Sequence, residues 1–334
     1  MLPRAQPPHA PLYVRLPKAL WILPLAAGML AAGTLAQAPA EPAPPPVEAE
    51  PQEPKEPFGE SIDVRLAELY VTVTDRTGQA VPGLGAADFR VLEDGVEQEI
   101  ASATDSRELP ITVGLALDSS ASMFIKLPAV VKAAQSLLAE LHRGRDKAFV
   151  VGFGAQAELV APTTGDLSRL SMALSQLEPQ GRTPLWASIS LSLSELERSR
   201  GKRALVVFLD GADEDEKSAY QDSLERAKAA GLPVYLIVMN NEAARTGGKD
   251  FQTRAFISRL ERMAKTGGGQ VFYVPTSSDL TTTYRAIAAE LRSAYLLTYY
   301  PTVPLDRGGQ RRVEVSVVKK GLKARALTGY KPVS

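Results

Sequence analysis

The feature that most constrains this chain is an alternation between Pro110 and Arg292, where short apolar runs are separated by stretches of helical periodicity. Runs at Ile111–Leu117, Ala148–Phe153, Ala204–Leu209, Val234–Met239 and Val271–Val274 have strand length and no polar alternation. A strand that is apolar on both sides must be covered on both faces, which is the condition of a parallel sheet with helices above and below it. The intervals supply those helices. Val130, Ala134, Leu137 and Leu141 recur at helical spacing, as do Leu185, Ile189, Leu193 and Leu196, and again Leu280, Tyr284, Ile287 and Leu291. The expectation is a doubly wound α/β domain over 109–292 with a mainly parallel sheet, and with Glu158–Val160 as an antiparallel edge strand.

On either side of this domain the pattern becomes antiparallel. Ile62, Val64 and Leu66 alternate, then Leu69, Val71 and Val73 alternate on the opposite parity, which predicts a bulge in a long strand. Asp75 to Gly78 reads as a turn, and Asp94-Gly95 between Phe89–Glu93 and Val96–Ile100 is a strong hairpin signal. Residues 61–108 therefore form a β segment with too few strands to close a core. Residues 293–334 have the same deficit, with strands at Tyr295–Tyr300, at Val313 to Val317 and near Leu322–Leu327. The simplest solution pairs the two segments into one small antiparallel β domain, with the α/β domain inserted between them.

The first 40 residues read as an export signal. Arg4, Arg15 and Lys18 precede the uncharged stretch Ala19–Ala40, which ends in the small-x-small patterns Ala36-Gln37-Ala38 and Ala38-Pro39-Ala40. Cleavage after Ala40 is favoured over a retained anchor, because Pro24, Gly28 and Gly33 weaken a spanning helix. Membrane attachment follows only if the segment stays uncleaved, and no Cys follows it to carry a lipid. Residues 41–60 are a Pro-rich linker. The body of the protein is thus expected in the periplasm, the cell envelope or the medium.

Composition removes whole function classes. Lys plus Arg is 38 and Asp plus Glu is 38, so there is no cationic excess to bind nucleic acid. With Cys 0 and His 2, thiolate zinc sites, Fe–S clusters and Cys nucleophiles are excluded, and a Ser-His-Asp triad would rest on His142 alone. His142 itself reads as a solvated residue at a helix end. G-x-S-x-G and P-loop motifs are absent, and Gly267-Gly268-Gly269 follows a helix, so it reads as a helix stop. An aspartyl-phosphate hydrolase would want a second acid two residues after Asp118, where Ser120 stands.

In open α/β sheets, ligands bind at the carboxyl ends of the strands. Three polar segments belong there: Asp118-Ser119-Ser120-Ala121-Ser122, Gly181-Arg182-Thr183-Pro184, and Asp210-Gly211. Asp118, Ser120, Ser122, Thr183 and Asp210 offer only oxygen, a set that suits a small hard cation such as Mg2+ or Mn2+, suits Ca2+ less well and suits zinc poorly. At these positions the chain resembles the von Willebrand factor A domain family, through the D-x-S-x-S pattern, the threonine before Pro184 and the later Leu-Asp-Gly. The segment Tyr70-Val-Thr-Val, the run from Asp88 to Gly95 and the tail Tyr295-Leu-Leu-Thr-Tyr-Tyr-Pro resemble exported bacterial proteins related to that family. One departure is Ala121, where Gly is common; its methyl removes no ligand.

The resemblance implies a metal-ion-dependent adhesion site. Ser120 and Ser122 would bind the metal directly, Thr183 directly or through water, and Asp118 and Asp210 mostly through water, leaving one position open for a partner protein's Asp or Glu carboxylate. Other readings stand beside it. Ser122 and Thr183 can serve as helix caps, with Pro184 at the first helical position, and Asp210-Gly211 can be only a turn. The acidic run Asp213–Glu216 reads as a solvated loop, since it lacks the spacing of a calcium loop. An assembly scaffold with a vestigial metal site, or more remotely a hydrolase on the same sheet, are the alternative functions.

Overall fold

The computed structural model describes residues 66–211, 217–239 and 251–332. The expected export signal, the linker, the first part of the bulged strand and the acidic run Asp213–Glu216 lie outside these residues.

Six strands make the central sheet: β4 (Ile111–Asp118), β5 (Lys147–Phe153), β6 (Ala157–Thr164), β7 (Lys202–Leu209), β8 (Val234–Met239) and β9 (Val271–Val274), in the order β6-β5-β4-β7-β8-β9. All pairings are parallel except β5 with β6, so the expected antiparallel edge strand is present and longer than its apolar core. Helices α1 (Leu127–Ala139), α2 (Leu167–Ser175) and α6 (Leu280–Arg292) bury their apolar stripes on one face of the sheet. Helices α3 (Leu185–Glu197), α4 (Lys217–Ala230) and α5 (Phe251–Thr266) cover the other face, around the fully buried Trp186. The triple glycine ends α5: Gly268 has φ of 82° and the Gly269 N–H returns to the Ala264 carbonyl at 2.9 Å, a helix stop as expected.

The second sheet is antiparallel and built from both flanks. It contains β1 (Ala67–Thr74), β2 (Phe89–Glu93), β3 (Val96–Asp105), β10 (Tyr295–Tyr300), β11 (Arg311–Val317), β12 (Lys323–Arg325) and β13 (Gly329–Tyr330), in the order β12-β1-β10-β3-β2-β11-β13. The late strand β10 pairs with β1 on one side and β3 on the other. Its inward residues Tyr295, Leu297 and Tyr299 join Leu69, Val71, Phe89 and Val91 in one core. The core of this sheet is thus shared between the two flanks. The Asp94-Gly95 hairpin forms with both residues at positive φ, 50° and 84°. The expected bulge is not found in the described part of β1, whose register with β10 runs unbroken from Ala67 to Val71; the irregularity in this sheet falls at Thr298/Tyr299 of β10, opposite β3.

A buried ion pair ties the late strands to the early ones. Arg311 on β11 donates to Glu93 on β2 at 2.8 Å, and the two side chains are 4% and 3% exposed. Tyr299 and Tyr330 donate their hydroxyls to the other Glu93 oxygen at 2.5 and 2.8 Å. The other three Nη hydrogens of Arg311 go to the carbonyls of Val303, Pro304 and Arg307, which fixes the loop after β10.

The two crossings between the sheets are pinned together. The Ser106 N–H donates to the Ala294 carbonyl at 2.9 Å, and the buried Lys202 amine at the start of β7 donates to the Ser106 hydroxyl at 2.7 Å. Burial, with Arg292 nearby, holds this amine down to about 8. Asp146 accepts from the N–H groups of Ile111 and His142 at 3.2 and 2.7 Å and from the Arg292 guanidinium.

Candidate metal centre

Strand β4 is where the chain order of the parallel sheet reverses, since β5 lies on one side of it and β7 on the other. Asp118 is the last residue of β4, and Asp210 follows directly after β7. The two carboxylates thus emerge side by side at the switch point, the place where an open α/β sheet leaves a crevice.

After Asp118 the chain does not enter a helix at once. Residues Ala121–Met123 form one 3-10 turn, and α1 begins only at Leu127 with Lys126 as its N-cap residue. Ser122 therefore does not cap α1. The turn folds the two serines back over the aspartates. Ser120 and Ser122 hydroxyls stand 3.0 Å apart, and Ser122 donates to Asp210 Oδ1 at 3.1 Å. Asp118 Oδ1 accepts the Ser120 N–H at 2.8 Å, which locks the Asp118 side chain against its own turn.

The third segment is zipped to the first by its backbone. The Gln180 N–H donates to the Ser119 carbonyl at 2.8 Å, and the Ala121 N–H donates to the Gly181 carbonyl at 3.2 Å. Gly181 has φ of 70°, and a Cβ there would lie 2.4 Å from the Ala155 Cα, so only glycine allows this contact. Thr183 follows two residues later. The N-cap position of α3 belongs to Pro184, one residue beyond the expected cap, so Thr183 sits just before the helix with no cap duty for its side chain. The structure thus brings Asp118, Ser120, Ser122 and Asp210 into one hydrogen-bonded group and sets Thr183 on the adjoining loop.

Electrostatics favour a cation in this group. Asp118 is fully buried, and desolvation pushes its carboxyl up to about 6; the nearby Asp210 charge adds to this, while hydrogen bonds from Ser120 oppose it. A carboxylate held there at neutral pH is under-compensated, and a bound cation would relieve it. Among the described residues no group of three or more His, Cys, Asp or Glu gathers as a metal site, and this crevice brings two carboxylates together with serine hydroxyls instead. One participant has no signal in the local sequence: the Lys126 amine donates to Asp210 Oδ2 at 2.9 Å.

Residues 113–212 match the family model of the von Willebrand factor type A domain, a span that contains all five candidate positions. No curated protein sequence matches the chain. Similar solved structures include a von Willebrand factor type A protein from Catenulispora acidiphila (13% identity, 81% of this chain and 74% of that one, TM-score 0.47). Another is the PilB minor pilin from Streptococcus sanguinis (14% identity, 56% of this chain, TM-score 0.44), of which the match spans 62%. A third is proximal thread matrix protein 1 from the mussel byssus with zinc in its MIDAS motif (13% identity, 58% of this chain and 48% of that one, TM-score 0.47).

Proposed function

We infer that the von Willebrand factor type A domain carried at residues 113–212 makes this chain a metal-dependent protein-binding module. The observation that carries the reading is the convergence of Ser120, Ser122, Asp118 and Asp210 at one strand-end crevice, with Asp118 buried and under-compensated. Ser120 and Ser122 would hold the cation through their hydroxyls, Thr183 would complete the set, and the aspartates would neutralise it. Bound there, the metal supplies a Lewis-acidic open position. Neutral hydroxyls leave the cation short of negative charge, so the best occupant is a carboxylate, an Asp or Glu side chain of a partner protein. Mg2+ or Mn2+ is the proposed ion, by size and by the all-oxygen donor set.

One further feature favours a protein partner over a small metabolite. Phe124 and Ile125, the two most exposed large apolar side chains among the described residues at 76% and 88%, follow Ser122 after the buried Met123. Adjacent exposed apolar side chains are a mark of interaction surfaces. A hydrolytic pairing of a site serine with His142 is disfavoured by distance. His142 lies beyond the C-terminal end of α1, and a helix of 13 residues is roughly 20 Å long.

We place the module outside the cytoplasm on the strength of the first 40 residues. No described helix is long and apolar enough to cross a membrane. Pull-down from the cell envelope of the source organism tests the function. Partner capture by the purified protein should vanish with EDTA and return with Mg2+ or Mn2+. Capture at full strength in EDTA would instead favour the scaffold reading, with any metal merely holding loops together.

A further inference from the structure

The Asp210 carboxylate is fully engaged by this chain's own side chains. Oδ1 accepts from Ser122 at 3.1 Å and Oδ2 accepts from the Lys126 amine at 2.9 Å. The carboxylate is 5% exposed and the lysine side chain 31%, so the ion pair is partly withdrawn from water. Lys126 is held in place from both directions. Its N–H donates to the Met123 carbonyl at 2.9 Å, and its own carbonyl receives the first N–H groups of α1, from Ala129 and Val130, at 3.0 and 3.2 Å. Its amine therefore reaches Asp210 from a fixed backbone at the mouth of the crevice.

The charge count gives this contact its meaning. Asp118 and Asp210 contribute two negative charges, and the ammonium contributes one positive charge on the same carboxylate that a cation at Ser122 would need. A divalent ion entering beside Ser120 and Ser122 meets a like charge only one carboxylate away. Either the amine leaves Asp210 or it stays and repels the ion through the shielded crevice; both outcomes cost metal affinity. A monovalent ion brings no more charge than the tethered ammonium already supplies.

We propose that Lys126 is a tethered counter-ion of the metal centre: it occupies Asp210 when no metal is bound, lowers the affinity for divalent cations and screens out monovalent ones. This rests on the reading of Ser120, Ser122 and Asp210 as metal-binding residues and adds a regulator to that site. The loading threshold is then set by a side chain that touches no metal. A partner that draws the amine away from Asp210 tightens metal binding, and by reciprocity metal tightens partner binding.

The test is isothermal titration of the full chain with MgCl2 at constant ionic strength, for wild type, Lys126→Met and Lys126→Arg. Lys126→Met should bind Mg2+ about five- to tenfold more tightly, the size expected of a partly exposed ion pair. Lys126→Arg, which keeps the charge, should stay within about twofold of wild type. Thermal melts add a second readout: Lys126→Met should melt lower than wild type without metal and gain more on adding Mg2+. Lys126→Gln repeats the neutral substitution in case the methionine packs differently. Equal or weaker Mg2+ binding by both neutral variants, with wild type binding normally, overturns the counter-ion role and leaves the metal centre standing. Folded wild type and folded neutral variants that all fail to bind Mg2+ or Mn2+ overturn both.

Discussion

Asp118→Ala is expected to all but abolish divalent binding, a loss of about 100-fold, while leaving the far-UV circular dichroism unchanged. The residue ends β4 and is fully buried, so it cannot be replaced by a solvent-facing neighbour. It supplies half of the negative charge available to a cation, and its Oδ1 orients the turn that carries both serines. The strand itself packs through Ile111 to Leu117, which the substitution leaves intact. Asp118→Asn separates the two contributions, because an amide keeps the acceptor for the Ser120 N–H and removes the charge; it should lose metal nearly as completely. The same residue sets a pH window. Its carboxyl is pushed up to about 6 in the metal-free protein, and only the ionised form attracts a cation. Mg2+ affinity should therefore be flat above neutrality and fall as pH drops through about 6. Titration calorimetry at several pH values checks both statements, and undiminished Mg2+ binding by Asp118→Ala would show the site assignment to be wrong.

The second large effect belongs to the β domain. Arg311→Met should cost about 3–5 kcal/mol, because it leaves the Glu93 carboxylate buried without its partner. Tyr299 and Tyr330 would still donate to one Glu93 oxygen, but no charge would remain beside it. The loop after β10 would also lose the bonds that Arg311 makes to three carbonyls. A domain is typically stable by only about 5–15 kcal/mol, so this is a substantial fraction. Urea unfolding should show a lower midpoint, and the double variant Glu93→Gln/Arg311→Met should be less destabilised than the sum of the singles. A loss below about 1 kcal/mol in Arg311→Met would mean that the pair is solvated and the domain held by its apolar core alone. Mg2+ binding, which depends on the other sheet, should persist under conditions where the variant remains folded.

The parts of this protein that sequence reveals are those set by local period and by strand ends. Five apolar runs became five parallel-sheet strands because a strand covered on both faces has no polar alternation to hide it. Asp118, Ser120 and Ser122 were legible as a group because a strand end followed by one tight turn brings them together at short spacing. The alternative cap reading fails for a physical reason. A 3-10 turn intervenes before α1, and Pro184 takes the position expected for Thr183, so neither hydroxyl does the capping that helix signals suggest. Helix α2 carried a signal that was not singled out: Asp166 accepts from the N–H groups of Ser168 and Arg169, ahead of Leu170 and Leu174. Strand β13 escaped because two residues, one of them glycine, have no period. That the two flanks form one sheet followed from counting strands, but the place of β10 between β1 and β3 did not, since strand order is a long-range property. Lys126 and Asp210 are 84 residues apart, and nothing local to either announces the other.

The central claim is that the turn after β4 and the residue after β7 hold one divalent cation. Diffraction from crystals of the wild-type protein grown with Mn2+, collected for the anomalous signal of manganese, addresses it most directly. The expected result is a single strong anomalous peak within coordination distance, about 2.1 Å, of the Ser120 and Ser122 hydroxyls, with Thr183, Asp118 and Asp210 around it and the Lys126 amine withdrawn from Asp210. No peak at this crevice at saturating Mn2+, with Lys126 still bound to Asp210 and Ser122 still donating to it, would contradict the account.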